Sequence, residues 1–230
     1  MEFYPEFPRG PLIPTESPDF ILKFKNRHQL GIELTRLNPG NVEPPDFEQI
    51  EMNKFREQLI EKTKNLFEHN MPHKLFVKFL FSEEKTIVRE RELTVAVQAT
   101  NLIRRAVNGK KQKSFFTTSI ENGELPDGLD GLLIVNHPAL NVSIWERSNN
   151  LGISGDIMDD IRTSILKKEE KLKLYQKQRL NYYWLIIVSD RLRGKKNFNI
   201  HNQIANRVFR SHFQHVYLFD LMKSDIFELV

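Results

Sequence analysis

Ser17-Pro18-Asp19-Phe20-Ile21-Leu22-Lys23-Phe24 is followed, across the polar turn Asn26-Arg27-His28, by Leu30-Gly31-Ile32-Glu33-Leu34-Thr35. Two largely apolar runs joined by a short polar turn predict a β-hairpin. With the turn centred near Arg27, the start of the first strand lies beside the end of the second, so Asp19 and Glu33 face each other across the pair. Like-charged carboxylates held together destabilise a fold unless something neutralises them, and a hard cation with oxygen ligands is the usual means. Glu33 also stands between Ile32 and Leu34 in a strand suited to burial, where an unpaired charge is expensive. The plainer alternative is that Asp19 caps a turn and Glu33 makes a surface ion pair.

Upstream, Pro5, Pro8, Pro11, Pro14 and Pro18 lie within residues 1–18, which predicts an extended lead-in, since proline lacks the N–H of a regular ladder. Downstream, helices are expected over about 46–69 and 85–107, and a strand over Lys74 to Phe81. Short strands are expected at Gly131 to Asn136 and Asn141 to Trp145. A long helix follows over Ile157 to Leu180, then a continuously apolar strand, Tyr182 to Val188. A helix near 202–211 and a strand over Val216 to Asp220 close the pattern. Strands interleaved with helices predict one α/β domain over 19–230, with a central mixed sheet covered by helices on both faces.

Composition narrows the chemistry. Hydrophobic residues at 40% and charged residues at 28% are a globular balance, so a packed core is expected. No cysteine is present, which excludes disulfides, thiolate-held metals and a cysteine nucleophile. The prolines and acids of the N-terminus do not read as a signal peptide, and no apolar run approaches the roughly 20 residues that span a bilayer. A cytoplasmic protein without a membrane partner is expected. Lys and Arg number 34 against 30 Asp and Glu, a basic excess compatible with a polyanionic partner. Neither a GK[ST]-ending phosphate loop nor a GxSxG elbow occurs, so P-loop and serine-hydrolase chemistry are excluded.

In the helix after Gly155, residues Ile157, Ile161, Ile165, Leu172 and Tyr175 trace one apolar stripe, and Lys168 falls in the middle of it. Lys171 lies at its edge. A core-facing lysine needs a negative partner, for which the hairpin carboxylates are the natural choice, or else runs its methylenes along the core and frees its amine to water.

Pro18-Asp19 with Gly31-Ile32-Glu33-Leu34-Thr35 resembles the signature of the PD-(D/E)XK nuclease superfamily, and the likeness covers roughly residues 16–36. The resemblance implies a restriction-endonuclease-like fold and metal-dependent hydrolysis of nucleic acid, DNA before RNA, in defence or DNA processing. It implies Mg2+ or Mn2+ held by Asp19, Glu33 and the Leu34 carbonyl, and a homodimer as one assembly such nucleases adopt. The family's lysine follows its Glu by two residues, and that position here is Thr35, whose hydroxyl carries no positive charge. Either a lysine has migrated to another element, with Lys168 first and Lys171 in reserve, or the chain is an inactive relative that binds nucleic acid or protein. In an active enzyme Thr35 would hold a metal-bound water, and Glu16 is a further acid nearby.

Remaining features are weaker. His212 and His215 sit three apart without an intervening acid, unlike an HExxH helix. Trp145 and Trp184 read as core. Basic groups at Arg104-Arg105, Lys110-Lys111-Lys113, Lys167-Lys168 and Arg191 to Lys196 read singly as solvated faces and together as modest support for phosphate contact.

Overall fold

A computed structural model describes residues 7–37, 46–121, 123–148, 157–175, 180–189, 204 and 208–230, with the side chains of 173–175 left aside. The chain groups into two compact units, one comprising Met1–Val42 with Asn150–Val230 and the other Glu43–Asn149. The second unit is thus spliced between the hairpin and the long helix.

Unit 1 holds β1 (Leu12–Pro14), β2 (Phe20–Lys23), β3 (Gln29–Arg36), α3 (Ile157–Tyr175), β8 (Tyr182–Ser189), β9 (His215–Asp220) and β10 (Asp225–Glu228). Its six strands form one mixed sheet in the order β1-β2-β3-β8-β9-β10. The hairpin pairs Phe20 with Ile32 and Lys23 with Gln29. Its turn puts Arg27 at φ 68°, with the Phe24 N–H bonded to the His28 carbonyl at 2.9 Å. β8 runs parallel to β3, and β9 parallel to β8. The apolar residues of α3 pack with Leu37, Tyr183, Leu185, Ile187, Val216 and Leu218 on one sheet face. The other face gathers Leu22, Leu30 and Ile32 with Phe20, Leu34, Trp184 and Ile186. β3 contributes to both faces, which is why its sequence is apolar almost throughout.

Gly31 is required by close approach. A Cβ there would stand 2.8 Å from Pro18 Cγ and 2.8 Å from Leu180 Cδ1. The Leu180 tip can move but the proline ring cannot, so Gly31→Ala displaces the Pro18-Asp19 segment. A loss of about 1–3 kcal/mol is expected, measured as a lowered urea midpoint.

Unit 2 holds α1 (Phe47–Glu68), β4 (Leu75–Phe81), α2 (Glu92–Val107), β5 (Phe116–Glu121), β6 (Leu129–Asn136) and β7 (Ile144–Arg147), with strand order β5-β6-β4-β7. Asp46 caps α1 by accepting the Gln49 N–H at 2.8 Å. Both helices pack on one face of this sheet, through Leu59, Phe67, Val95, Ala99 and Ile103 against Val77, Phe79, Leu132 and Ile134.

The mixed α/β class stands, but the single central sheet does not: the described residues form two sheets, each with its own core. Among the described residues each carries helices on one face rather than both. Residues 19–230, read as one domain, divide between the two units, and the lead-in contributes an edge strand, with Ile13 opposite Ile21. Proline suits that edge because its missing N–H faces away from the ladder. Residues 85–91 are not α-helical; a short 3-10 turn at Arg89–Arg91 precedes α2. The strands at 116–121 and 225–228 were not anticipated. Much of the helix expected near 202–211 lies outside the described residues, and Val208 to Ser211 are irregular.

Candidate functional site

Continuing the hairpin register one residue beyond Phe20–Ile32 sets Asp19 opposite Glu33, on the sheet face that α3 covers. Directly opposed residues have Cβ atoms roughly 4.5–5.5 Å apart. β2 begins at Phe20, so backbone pairing with β3 stops there, and Asp19 Oδ2 accepts the Leu34 N–H at 2.7 Å in its place. No other hydrogen bond to this carboxylate occurs among the described residues. Pro18 is buried over Gly31 and fixes where the Asp19 backbone starts.

Glu33 is buried, its side chain 5% exposed, and Lys168 Nζ donates to its Oε1 at 2.6 Å, with the lysine side chain 17% exposed. The inward stripe of α3 accounts for this: Ile161, Ile165 and Leu172 anchor the helix, and Lys168 projects between them. Of the sequence-predicted site residues, Asp19, Glu33 and Lys168 therefore gather on one face of unit 1. Thr35 follows on that strand face, half-buried. Leu34 serves through its N–H, which donates to Asp19 Oδ2. Lys171 and Glu16 are exposed and join no contact with the carboxylates.

A buried Lys–Glu pair alone is not diagnostic. Unit 2 contains another, Lys78 Nζ to Glu146 Oε1 at 2.6 Å, with side chains 4% and 34% exposed. What sets Glu33 apart is a second carboxylate in register beside it. Two carboxylates and a backbone carbonyl are hard oxygen donors, the set that suits magnesium or manganese, which retain waters and need no full protein cage. Among the described residues no group of three His, Cys, Asp or Glu side chains comes together as a metal site.

α3 is also tied to the segment before β9 by Glu169. Glu169 Oε1 accepts from Ser211 Oγ at 2.8 Å and from the His212 N–H at 2.7 Å. Partial burial pushes the Glu169 carboxyl up, but these hydrogen bonds outweigh it and hold the group below its ordinary value. A lowered folded value means the stabilisation is complete above the unfolded value, near 4.3, and is lost as pH falls through the folded one. Native protein is thus expected to lose urea resistance below about pH 4.3 more steeply than Glu169→Gln, in which that increment is absent; parallel curves would contradict the assignment.

His215 pairs with Glu228 at 2.7 Å and stacks on Tyr217, and His212 lies 3.4 Å from Glu169, so the two histidines have separate partners. Trp145 packs in the unit 2 core beside Phe67 and Phe79, and Trp184 lies half-buried against Tyr217. Arg191 to Lys196 lie outside the described residues. The sequence reading did not single out buried Asp160, Ser164, Ser189 and Asp220. Asp220 Oδ1 accepts from the N–H groups of Met222 and Lys223 at 3.0 and 3.2 Å, closing the turn into β10. A lone acid at a strand end reads as turn chemistry, so no sequence signal marks its burial.

No family model matches the chain, and no curated protein or solved structure matches it either. Among the described residues no helix is long and apolar enough to cross a membrane.

Proposed function

We propose that unit 1 is a restriction-endonuclease-like domain of the PD-(D/E)XK kind, hydrolysing phosphodiester bonds of nucleic acid, DNA in preference to RNA, with Mg2+ or Mn2+. The observation that carries this reading is the Lys168–Glu33 contact at 2.6 Å beside a register-matched Asp19. Stability gives little reason for such an arrangement, because a buried ion pair is often no better than two apolar side chains of similar volume.

Asp19, Glu33 and the Leu34 carbonyl would hold the ion. When bound, it polarises a phosphate and lowers the pKa of a coordinated water. Lys168 supplies what Thr35 cannot, a positive charge with three N–H donors. Glu33 accepts one of them, which fixes the ammonium; the others serve to orient the attacking water or stabilise charge developing on the phosphate. The Asp19 contact with the Leu34 N–H holds that carboxylate without a rotamer search. The Thr35 hydroxyl, two residues along from Glu33 on the strand, would hydrogen-bond a water of the ion.

Two observations favour a second reading, an inactive nuclease-fold module that binds nucleic acid or a protein: Thr35 occupies the lysine position, and Asp19 already serves the backbone. Incubation with plasmid, single-stranded DNA and RNA in magnesium or manganese separates them. Cleavage that disappears in EDTA is the expected result. Intact substrates throughout, with retained salt-sensitive binding, would mean the inactive module.

A further inference from the structure

We infer that the turn Lys110 to Ser114 of unit 2 is a nucleic-acid docking surface, its lysines gripping phosphates and the neighbouring His137 ring stacking on an unpaired base. For the identity of the polymer the inference rests on the nuclease reading.

The turn is shaped by buried side chains. Asn136, fully buried at the end of β6, lies opposite Leu75 and Phe116. Its Nδ2 donates to the Gln112 carbonyl at 2.9 Å and also to that of Ser114. His73, 6% exposed, donates from Nε2 to the Lys110 carbonyl at 3.2 Å, because a carbonyl can only accept. Ser114 closes the loop, its N–H and hydroxyl both donating to the Lys111 carbonyl, at 3.1 and 2.7 Å. Carbonyls of the turn are thereby drawn inward, while Lys110, Lys111 and Lys113 are exposed. Among the described residues Asn136 Oδ1 and His73 Nδ1 are buried and accept no hydrogen bond from the protein. A merely solvated loop does not need two buried polar side chains to shape it.

Among the described residues no acid pairs with the lysines of this turn. No Asp or Glu occurs from Ala106 to Ile120 or from Gly131 to Ser143. Elsewhere in unit 2, exposed cations stand beside acids, as in Lys54–Glu51, Lys85–Asp127, Arg91–Asp127 and Arg105–Glu124. Lys111 and Lys113 have no ion pair among the described residues, and Lys110 lies over the Phe116 ring at 5.9 Å. Beside the turn, exposed His137 meets Phe115 edge-on at 5.9 Å, and its Nδ1 accepts the Ala139 N–H at 3.1 Å, which fixes the ring. Unpaired lysines next to a fixed, accessible aromatic ring are the elements of single-strand binding, in which phosphates are held electrostatically and bases stack.

Binding of a fluorescent single-stranded oligonucleotide, followed by anisotropy in EDTA across a salt series, tests the inference apart from cleavage. The triple variant Lys110→Glu, Lys111→Glu, Lys113→Glu is expected to bind at least about tenfold more weakly, with a salt slope shallower by about 2. Lysine-to-arginine changes at all three positions retain binding. His137→Ala is expected to weaken single strands by about tenfold and leave duplex binding unchanged. The three lysines are exposed, and an unchanged thermal transition confirms the variants are folded. Equal affinity and slope in the triple variant would overturn the inference, as would capture by phosphatidylserine vesicles without oligonucleotide binding. Turn-dependent binding without cleavage keeps the inference and removes the nuclease reading; cleavage and binding indifferent to the turn do the reverse.

Discussion

Lys168→Met is expected to cost about 3–5 kcal/mol of stability, the usual consequence of removing one partner from a buried ion pair. The numbers of the pair explain why the loss falls here. Glu33, at 5% exposure, sits on a strand whose backbone is held by β2 and β8, so loss of the Lys168 ammonium leaves a largely buried carboxylate without its donor. Methionine fills the volume of the lysine stem along Ile161, Ile165 and Leu172 but offers no donor. Cleavage is expected to fall by about 10²–10³ as well, the cost of removing one donor from a charge-stabilising set. Equilibrium urea unfolding measures the first effect and single-turnover cleavage the second. A stability change under about 1 kcal/mol would mean that the pair behaves as a surface contact.

The converse substitution separates the two effects. Glu33→Gln is expected to lower cleavage by about a thousandfold or more, because a neutral amide is a poor ligand for a hard cation. Its stability is expected to fall by no more than about 1.5 kcal/mol. The asymmetry follows from geometry: Lys168, at 17% exposure on a flexible four-carbon stem, keeps a hydrogen bond to the glutamine oxygen or turns its amine outward. Asp19→Asn is expected to resemble it in activity, since an asparagine oxygen still accepts the Leu34 N–H. Equal stability losses for Lys168→Met and Glu33→Gln would contradict the view that the strand carboxylate is the trapped member of the pair.

The hairpin register and the Lys168–Glu33 contact are legible in the sequence. Alternation and turn chemistry fixed the hairpin, and its register alone put Asp19 opposite Glu33. The stripe of α3 pointed Lys168 inward, and its partner is the carboxylate expected of it. What periodicity does not report is which sheet a strand joins. The apolar run Leu75–Phe81 reads the same whether it extends the hairpin sheet or founds another, so the splicing of Glu43–Asn149 into unit 1 left no mark. Phe116–Glu121 escaped notice because its two threonines and serine look like loop, although it is an edge strand whose six residues are all half-buried. The helix start was set too early because residues 85–91 are rich in charged helix formers, and propensity yields to tertiary context at element ends. The shaping of the Lys110 to Ser114 turn by Asn136 and His73 depends on residues from separate strands and loops, a meeting that sequence spacing does not encode.

Asp19 and Glu33 are proposed to bind a divalent cation together, beside the ammonium of Lys168. Manganese titration followed by electron paramagnetic resonance tests it without reference to any substrate. One bound ion is expected in the native protein, lost in both Asp19→Asn and Glu33→Gln while each variant stays folded; a native protein that leaves all manganese free, or binding untouched by both substitutions, would contradict the metal site.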